Sequence, residues 1–146
     1  MGAPIDRVWR LGTDIARWPE WLVGLREVTD LSGPGDQVAT TAVLVLKGPG
    51  LVRHLRLEVT EVERPTLHSH VAREVGGGMS YTSTIRLTPA GDGTDFVWEQ
   101  EIEAGRGLMG AIADRIFVKG FSERNMRQSC DNFEALVRQA EVLEPV

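Results

Sequence analysis

Residues 14–21 read DIARWPEW, so two of the four tryptophans, Trp18 and Trp21, stand three apart with Pro19 between them. Trp18 precedes a proline and is biased away from helix, while Pro19, Glu20, Trp21 and Leu22 read as a short turn that ends at Gly24. Upstream, Pro4 suits the first turn of a helix, where its missing N–H costs nothing. Ile5, Val8 and Trp9 then recur at helical spacing, giving a helix from about residue 4 to about residue 13. Two short helical elements therefore open the chain, joined at DIARWPEW.

Beyond Gly24 the hydrophobic period changes to two. Turn signals at Ser32-Gly33-Pro34-Gly35, Lys47-Gly48-Pro49-Gly50, Arg64-Pro65, Gly76-Gly77-Gly78 and Gly91-Asp92-Gly93 cut the stretch from Leu25 to Ala104 into the strands of an antiparallel meander. Leu55, Leu57 and Val59 alternate with Arg56, Glu58 and Thr60, and Tyr81, Ser83, Ile85 and Leu87 alternate with Thr82, Thr84, Arg86 and Thr88. In residues 94–103, Phe96, Trp98, Gln100 and Ile102 alternate with an acidic row that includes Asp95, Glu99, Glu101 and Glu103. One face of such a sheet is wet and the other needs a cover.

The cover comes last in the chain. Met109, Ile112, Ile116, Phe117, Phe121, Met126, Cys130, Phe133, Val137 and Ala140 recur mostly at steps of three and four, with no proline before Pro145. This reads as one helix of about 30 residues. A long helix across a strongly bent sheet need not touch it everywhere, so a cavity between them is expected. No repeat or linker divides the chain, and residues 1–146 read as a single domain.

Ala3-Pro4 followed by Val8-Trp9, Asp14, Trp18-Pro19-Glu20-Trp21, then Gly93-Thr94 opening a strand with Trp98 and a long final helix, resembles the helix-grip superfamily. That group, often called SRPBCC, covers START lipid-transfer domains, polyketide cyclases and the birch-pollen allergen. The resemblance runs over nearly the whole chain and implies an α+β fold: a curved antiparallel sheet around one long C-terminal helix, with two short N-terminal helices. The family begins with a strand just before the Ala-Pro pair, whereas this sequence starts at Met1-Gly2. Six strands are therefore expected, or seven if the natural chain carries that edge strand. An uncovered edge there would recruit a second copy as a homodimer.

A net charge of −5 and the lack of a basic run argue against nucleic acid or an anionic membrane as partner. The single cysteine cannot form an internal disulfide, the N-terminus has no secretory pattern, and no apolar stretch is long enough to insert in a membrane. These features read as a cytoplasmic protein.

The candidate chemistries are mostly set aside by context. Gly105-Arg-Gly-Leu-Met-Gly110 fits G-x-G-x-x-G between a strand and a helix, but no βαβ unit or ribose-binding strand follows, so it reads as a connection. His54, His68 and His70 have permissive metal-ligand spacing. His54 shares the register of Arg56 and Glu58, however, and no carboxylate completes a first shell. The reading is solvent-facing strand histidines, with no metal and no cofactor. The Glu99, Glu101, Glu103 row falls on the wet face. Cys130, on the apolar stripe of the helix, reads as a buried inert thiol, and no nucleophile motif accompanies it.

What remains is a set of polar groups expected on the concave face: Tyr81, Ser83, Gln100 and Ser69, with Arg73 in the register of Ser69 and Asn125 on the helix. A few convergent polar groups in an apolar cavity orient a small amphipathic ligand. The reading is a domain that binds a hydrophobic or aromatic small molecule, lipid or polyketide-like, between sheet and helix. Its candidate ligand-binding residues are Trp9, Trp18, Trp21, Leu57, Ser69, Tyr81, Ser83, Trp98, Gln100, Phe117, Phe121 and Asn125. Trp18 is the tryptophan expected to touch a ligand, and Trp21 the one expected to pack as structural core. The resemblance also admits a polyketide cyclase or dehydrase acting on a poly-β-ketone, with Tyr81 as proton donor and Arg73 stabilising an enolate. A third alternative is a partner-binding module, which predicts an exposed apolar patch instead of a lined cavity.

Overall fold

The structure, a computed structural model, describes residues 1–48, 51–103 and 123–143. Helix α1 (Ile5–Gly12) leads into a 3₁₀ helix (Ile15–Glu20). Six strands follow: β1 (Leu25–Thr29), β2 (Thr41–Gly48), β3 (Leu51–Glu63), β4 (Leu67–Glu74), β5 (Ser80–Ala90) and β6 (Gly93–Glu103). Helix α2 (Glu123–Leu143) comes last. The strands pair antiparallel in simple sequence order, forming a curled half-barrel that carries the helix: the α+β helix-grip architecture. Within the described residues the C-terminal helix is 21 residues long. The glycine-rich connection Gly105–Gly110, together with Phe117 and Phe121, lies outside the described residues.

The N-terminal segment differs in detail from the sequence expectation. Pro4 is the N-cap of α1 and not part of its first turn, and its carbonyl accepts from the backbone N–H groups of Arg7 and Val8 at 3.1 and 3.2 Å. Asp6 in the first turn and Arg10 in the last complement the helix dipole. Trp18 and Pro19 both lie inside the 3₁₀ helix, where a turn beginning at Pro19 was expected. A single short 3₁₀ piece tolerates the proline because few of its N–H groups need an internal partner. The Trp18 carbonyl closes the segment by accepting from the Trp21 and Leu22 backbones at 3.1 and 2.9 Å.

Alternation is obeyed where the side chains left no ambiguity. Leu55, Leu57 and Val59 of β3 and Tyr81, Ser83, Ile85 and Leu87 of β5 are buried, and Glu99, Glu101 and Glu103 of β6 are exposed. The core forms where these inward rows meet Phe133, Leu136 and Val137 of α2 and Val8, Trp9 and Leu11 of α1. Phe133 sits at the centre, its ring 4.7 Å from Trp21 and 5.2 Å from Phe96.

Strand β4 is the exception. Its register pairs Val59 with His70 and Ala72 with both Leu57 and Tyr81, so the even-numbered residues point inward. A bulge between Val59 and Glu61 resets the phase of β3 and places Val62 opposite His68. The expectation for this strand is therefore corrected on two counts. His68 and His70 are buried at 0% and 4% exposure, and only His54 faces solvent. Ser69 and Arg73 lie on the outer face, where the Ser69 hydroxyl meets Thr84 Oγ1 at 3.0 Å and Arg73 is exposed. Leu67 and Val71 invite the opposite parity, but strand pairing decides it.

The chain start is tied to β6. The Met1 amino group donates to the Thr94 carbonyl at 2.8 Å, and the Thr94 N–H donates to the Met1 carbonyl at 2.9 Å. Among the described residues no helix is long and apolar enough to cross a membrane.

Candidate functional site

Two aromatic-lined regions occupy the concave face, one on each side of His70. The first is built around His68. Trp18 stacks at a tilt on His70 with ring centroids 5.0 Å apart, and Trp9 and Trp18 each meet His68 edge-on at 6.2 Å. His68 donates from Nε2 to the Gly35 carbonyl at 2.7 Å, which fixes its tautomer. That carbonyl gets so close because Gly35 has no side chain: a Cβ there would overlap the carbonyl oxygen of Thr13. Trp18 donates its indole N–H to the Gly12 carbonyl at 2.9 Å, at the end of α1.

The second region is a pocket between the sheet and α2. Its floor comes from Leu44 and Leu46 of β2, His70 of β4, Tyr81, Ser83 and Ile85 of β5, and Trp98 and Gln100 of β6. Trp18, Trp21, Leu22, Val23 and Leu25 form one wall, and Asn125, Met126 and Ser129 of α2 the other. The unfilled volume is ≈ 540 Å³ with its open mouth included. The cavity volume proper is ≈ 30 Å³, room for about one or two water molecules, so a larger ligand would also occupy the open mouth. Among the described lining residues none carries a formal charge at neutral pH.

Helix α2 sets the wall that holds Trp21. Ser129 accepts from the Val23 N–H at 2.9 Å while donating to the Asn125 carbonyl at 2.9 Å, and Asn132 donates to the Trp21 carbonyl at 3.3 Å. Across the pocket, Trp98 donates to Ser83 Oγ at 2.7 Å. His70 Nε2 and the Tyr81 hydroxyl lie 3.3 Å apart. The Trp21 indole N–H, Gln100 Oε1 and His70 Nδ1 are buried without a hydrogen-bond partner among the described residues, as are Trp9 Nε1 and His68 Nδ1 away from the pocket.

Electrostatics follow from burial. Desolvation, with a smaller contribution from His68, pushes His70 down to about 3 and keeps it neutral. His68 is lowered for the same primary reason, opposed by its bond to Gly35 and by nearby Asp36. Desolvation raises Tyr81, so it acts as a hydrogen-bonding phenol and holds its proton tightly. Cys130, half-buried and not fully enclosed, is raised by burial and then by Asp131, consistent with an unreactive thiol. Among the described residues no cluster of three or more His, Cys, Asp or Glu side chains is arranged to hold a metal ion.

Of the residues named from sequence, Trp18, Trp21, Tyr81, Ser83, Trp98, Gln100 and Asn125 meet at this pocket. Leu57 is fully buried in the core beneath it. Trp9 packs on His68 and borders a separate open groove with Asp6, Arg10, Asp14, Asp36 and Arg64, where Arg64 pairs with Asp36. Ser69 and Arg73 are excluded by the β4 register. His70 was the polar floor residue missed, along with the apolar Leu44, Leu46, Ile85 and Met126 and the wall residue Ser129. The only hint that His70 is buried was the small Ala72 two positions on, at the same parity.

Comparison with known proteins places this fold in a class. The fold is shared by the Zhui aromatase/cyclase from Streptomyces sp. R1128, at TM-score 0.75 and 13% identity over 99% of this chain and 91% of that one. A Thermus thermophilus protein aligns at TM-score 0.71 and 20% identity over 96% and 93% of the two chains. Ara h 8.0201 aligns at TM-score 0.65 and 10% identity over 94% and 92%. At these identities the likeness concerns the fold alone. Residues 1–138 match the family model described as polyketide cyclase / dehydrase and lipid transport, and the chain belongs to that family. No curated protein matches it.

Proposed function

We propose that the protein binds a hydrophobic or aromatic small molecule, lipid or polyketide-like, in the pocket between the sheet and α2. The observation that carries this reading is the pocket's composition: an apolar, aromatic lining in which three buried polar atoms have no partner among the described residues. Buried polar groups are nearly always paired, and a site that leaves several open is suited to a ligand that completes them. The family to which the chain belongs, with its cyclase, dehydrase and lipid-transport members, supports the same reading. A thermal-shift panel of lipids, flavonoids and polyketide-like aromatics tests it. At least one aromatic class is expected to raise the melting temperature and quench tryptophan fluorescence, and a panel with neither effect would remove the reading.

One observation favours a catalytic version. The Tyr81 hydroxyl lies 3.3 Å from His70 Nε2 inside the pocket, so it can hydrogen-bond a ligand carbonyl while the imidazole orients it. Arg73, exposed on the outer face, drops out as the enolate-stabilising group. A Tyr81→Phe variant is expected to bind aromatics but lose turnover of a poly-β-ketone. Turnover surviving in that variant would eliminate Tyr81 as the donor.

A further inference from the structure

We infer that the pocket selects a neutral ligand bearing a hydroxyl, such as a phenol or an enol, over a carboxylate or a bare hydrocarbon. This rests on the pocket reading above and adds the chemical class of the ligand. Among the described residues, the indole N–H of Trp21, which is nine-tenths buried, is a donor with nothing to donate to, and Gln100 Oε1 is an acceptor with nothing to accept from. His70 is also nine-tenths buried, with Nδ1 unpartnered among the described residues and Nε2 facing the Tyr81 hydroxyl.

A hydroxyl is the smallest group that both accepts and donates, so it can take the Trp21 proton and give its own to Gln100 or His70. A carboxylate only accepts. It would meet the Trp21 N–H but leave Gln100 Oε1 facing like partial charge, and no cationic side chain lines the pocket among the described residues. Removing an anion from water without a counter-charge is strongly unfavourable. The neutral state of His70, enforced by burial, means that it offers no positive charge either. A bare hydrocarbon would fill the apolar wall but leave all three polar atoms unpaired.

The His70–Tyr81 pair widens the match. If Tyr81 donates to Nε2, Nδ1 carries a proton and is a donor; if Nε2 donates to Tyr81, Nδ1 is an acceptor and the phenolic hydrogen is released toward the pocket. The pair therefore adapts to a carbonyl or to a second hydroxyl, which suits a hydroxy-ketone.

The test compares 2-naphthol, naphthalene and 2-naphthoate, matched in ring size, by calorimetric titration of the full chain near neutral pH. Naphthol is expected to bind about tenfold or more tighter than either of the others. Trp21→Phe and, separately, Gln100→Leu are expected to lower naphthol affinity about tenfold while leaving naphthalene affinity within about twofold. The second variant serves if the first does not fold. Naphthoate binding as tightly as naphthol, or naphthol binding no better than naphthalene, would overturn the ligand class while naphthalene binding left the pocket reading intact. If none of the three bound, the pocket reading would fall and this inference with it.

Discussion

Trp18 and Trp21 belong to one short motif and are buried to nearly the same extent, at 1% and 2% exposure, yet their chemical situations are opposite. Trp18 is wedged between His68 and His70 and spends its indole N–H on the Gly12 carbonyl, tying the 3₁₀ helix to the end of α1. Trp21 packs against Phe133 and Trp98 with its N–H unspent. Depth of burial does not separate structural from functional aromatics in this fold. What separates this pair is the indole N–H: that of Trp18 is engaged, while that of Trp21 has no partner among the described residues and lines the pocket, where it gains from meeting a ligand. The sequence assigns the ligand contact to Trp18 and the structural place to Trp21; both line the pocket and both belong to the core, and the unpaired N–H is what makes Trp21 the proposed ligand contact.

The largest effect that tests this contrast is removal of the anchor. Trp18→Ala is expected to cost about 3–5 kcal/mol of stability in denaturant unfolding, the usual loss for a large buried aromatic. A cost below about 1 kcal/mol would show that the packed region is not built around it.

Acid acts on the same region through the histidines. Burial holds His70 at about 3, against 6.5 for an unperturbed imidazole, so between these values the unfolded chain binds a proton that the folded chain refuses. Stability is thus expected to fall as pH drops below about 6.5, by about 1.4 kcal/mol per pH unit from His70, with a further contribution of the same sign from His68. His70→Gln should flatten the slope of unfolding free energy against pH by that amount. An unchanged slope would mean that His70 does not stay neutral when buried.

A finer comparison truncates each indole conservatively. Trp18→Phe strands the Gly12 carbonyl, whereas Trp21→Phe strands nothing, so the first is expected to cost about 1 kcal/mol more than the second beyond their shared loss of volume. Equal costs would erase the distinction. Smallest of all, Arg73→Ala on the outer face is expected to change stability by less than about 0.5 kcal/mol and to leave aromatic-ligand affinity unaltered. A marked loss of affinity would mean that β4 had been placed in the wrong parity.

The same contrast explains what could be read from the sequence. The Pro19 segment showed the presence of a short helical piece but not its bounds. The fold was legible because the alternation of Leu55, Leu57 and Val59 in β3 and the alternation in β5 and β6, together with the spacing of Phe133 and Val137, leave little choice of face. Strand β4 was not: in Leu67-His-Ser-His-Val-Ala-Arg-Glu74 the two large apolar residues share one parity and the two histidines the other, and local pattern cannot tell which side the neighbours will bury. Pairing to Leu57 and Tyr81, distant in sequence, made that choice. The partner of the Trp18 indole was equally hidden, because it is a backbone carbonyl six residues away whose direction depends on where α1 ends.

The central claim, that the pocket beside Trp21 receives a ligand, is tested most directly by the indole N–H resonances of the four tryptophans during titration with a neutral phenol. The Trp21 signal is expected to move most, through a new hydrogen bond, with Trp98 and Trp18, which also line the pocket, shifting by proximity and the Trp9 signal nearly fixed. Saturable movement of Trp9 with Trp21 unmoved would contradict the account.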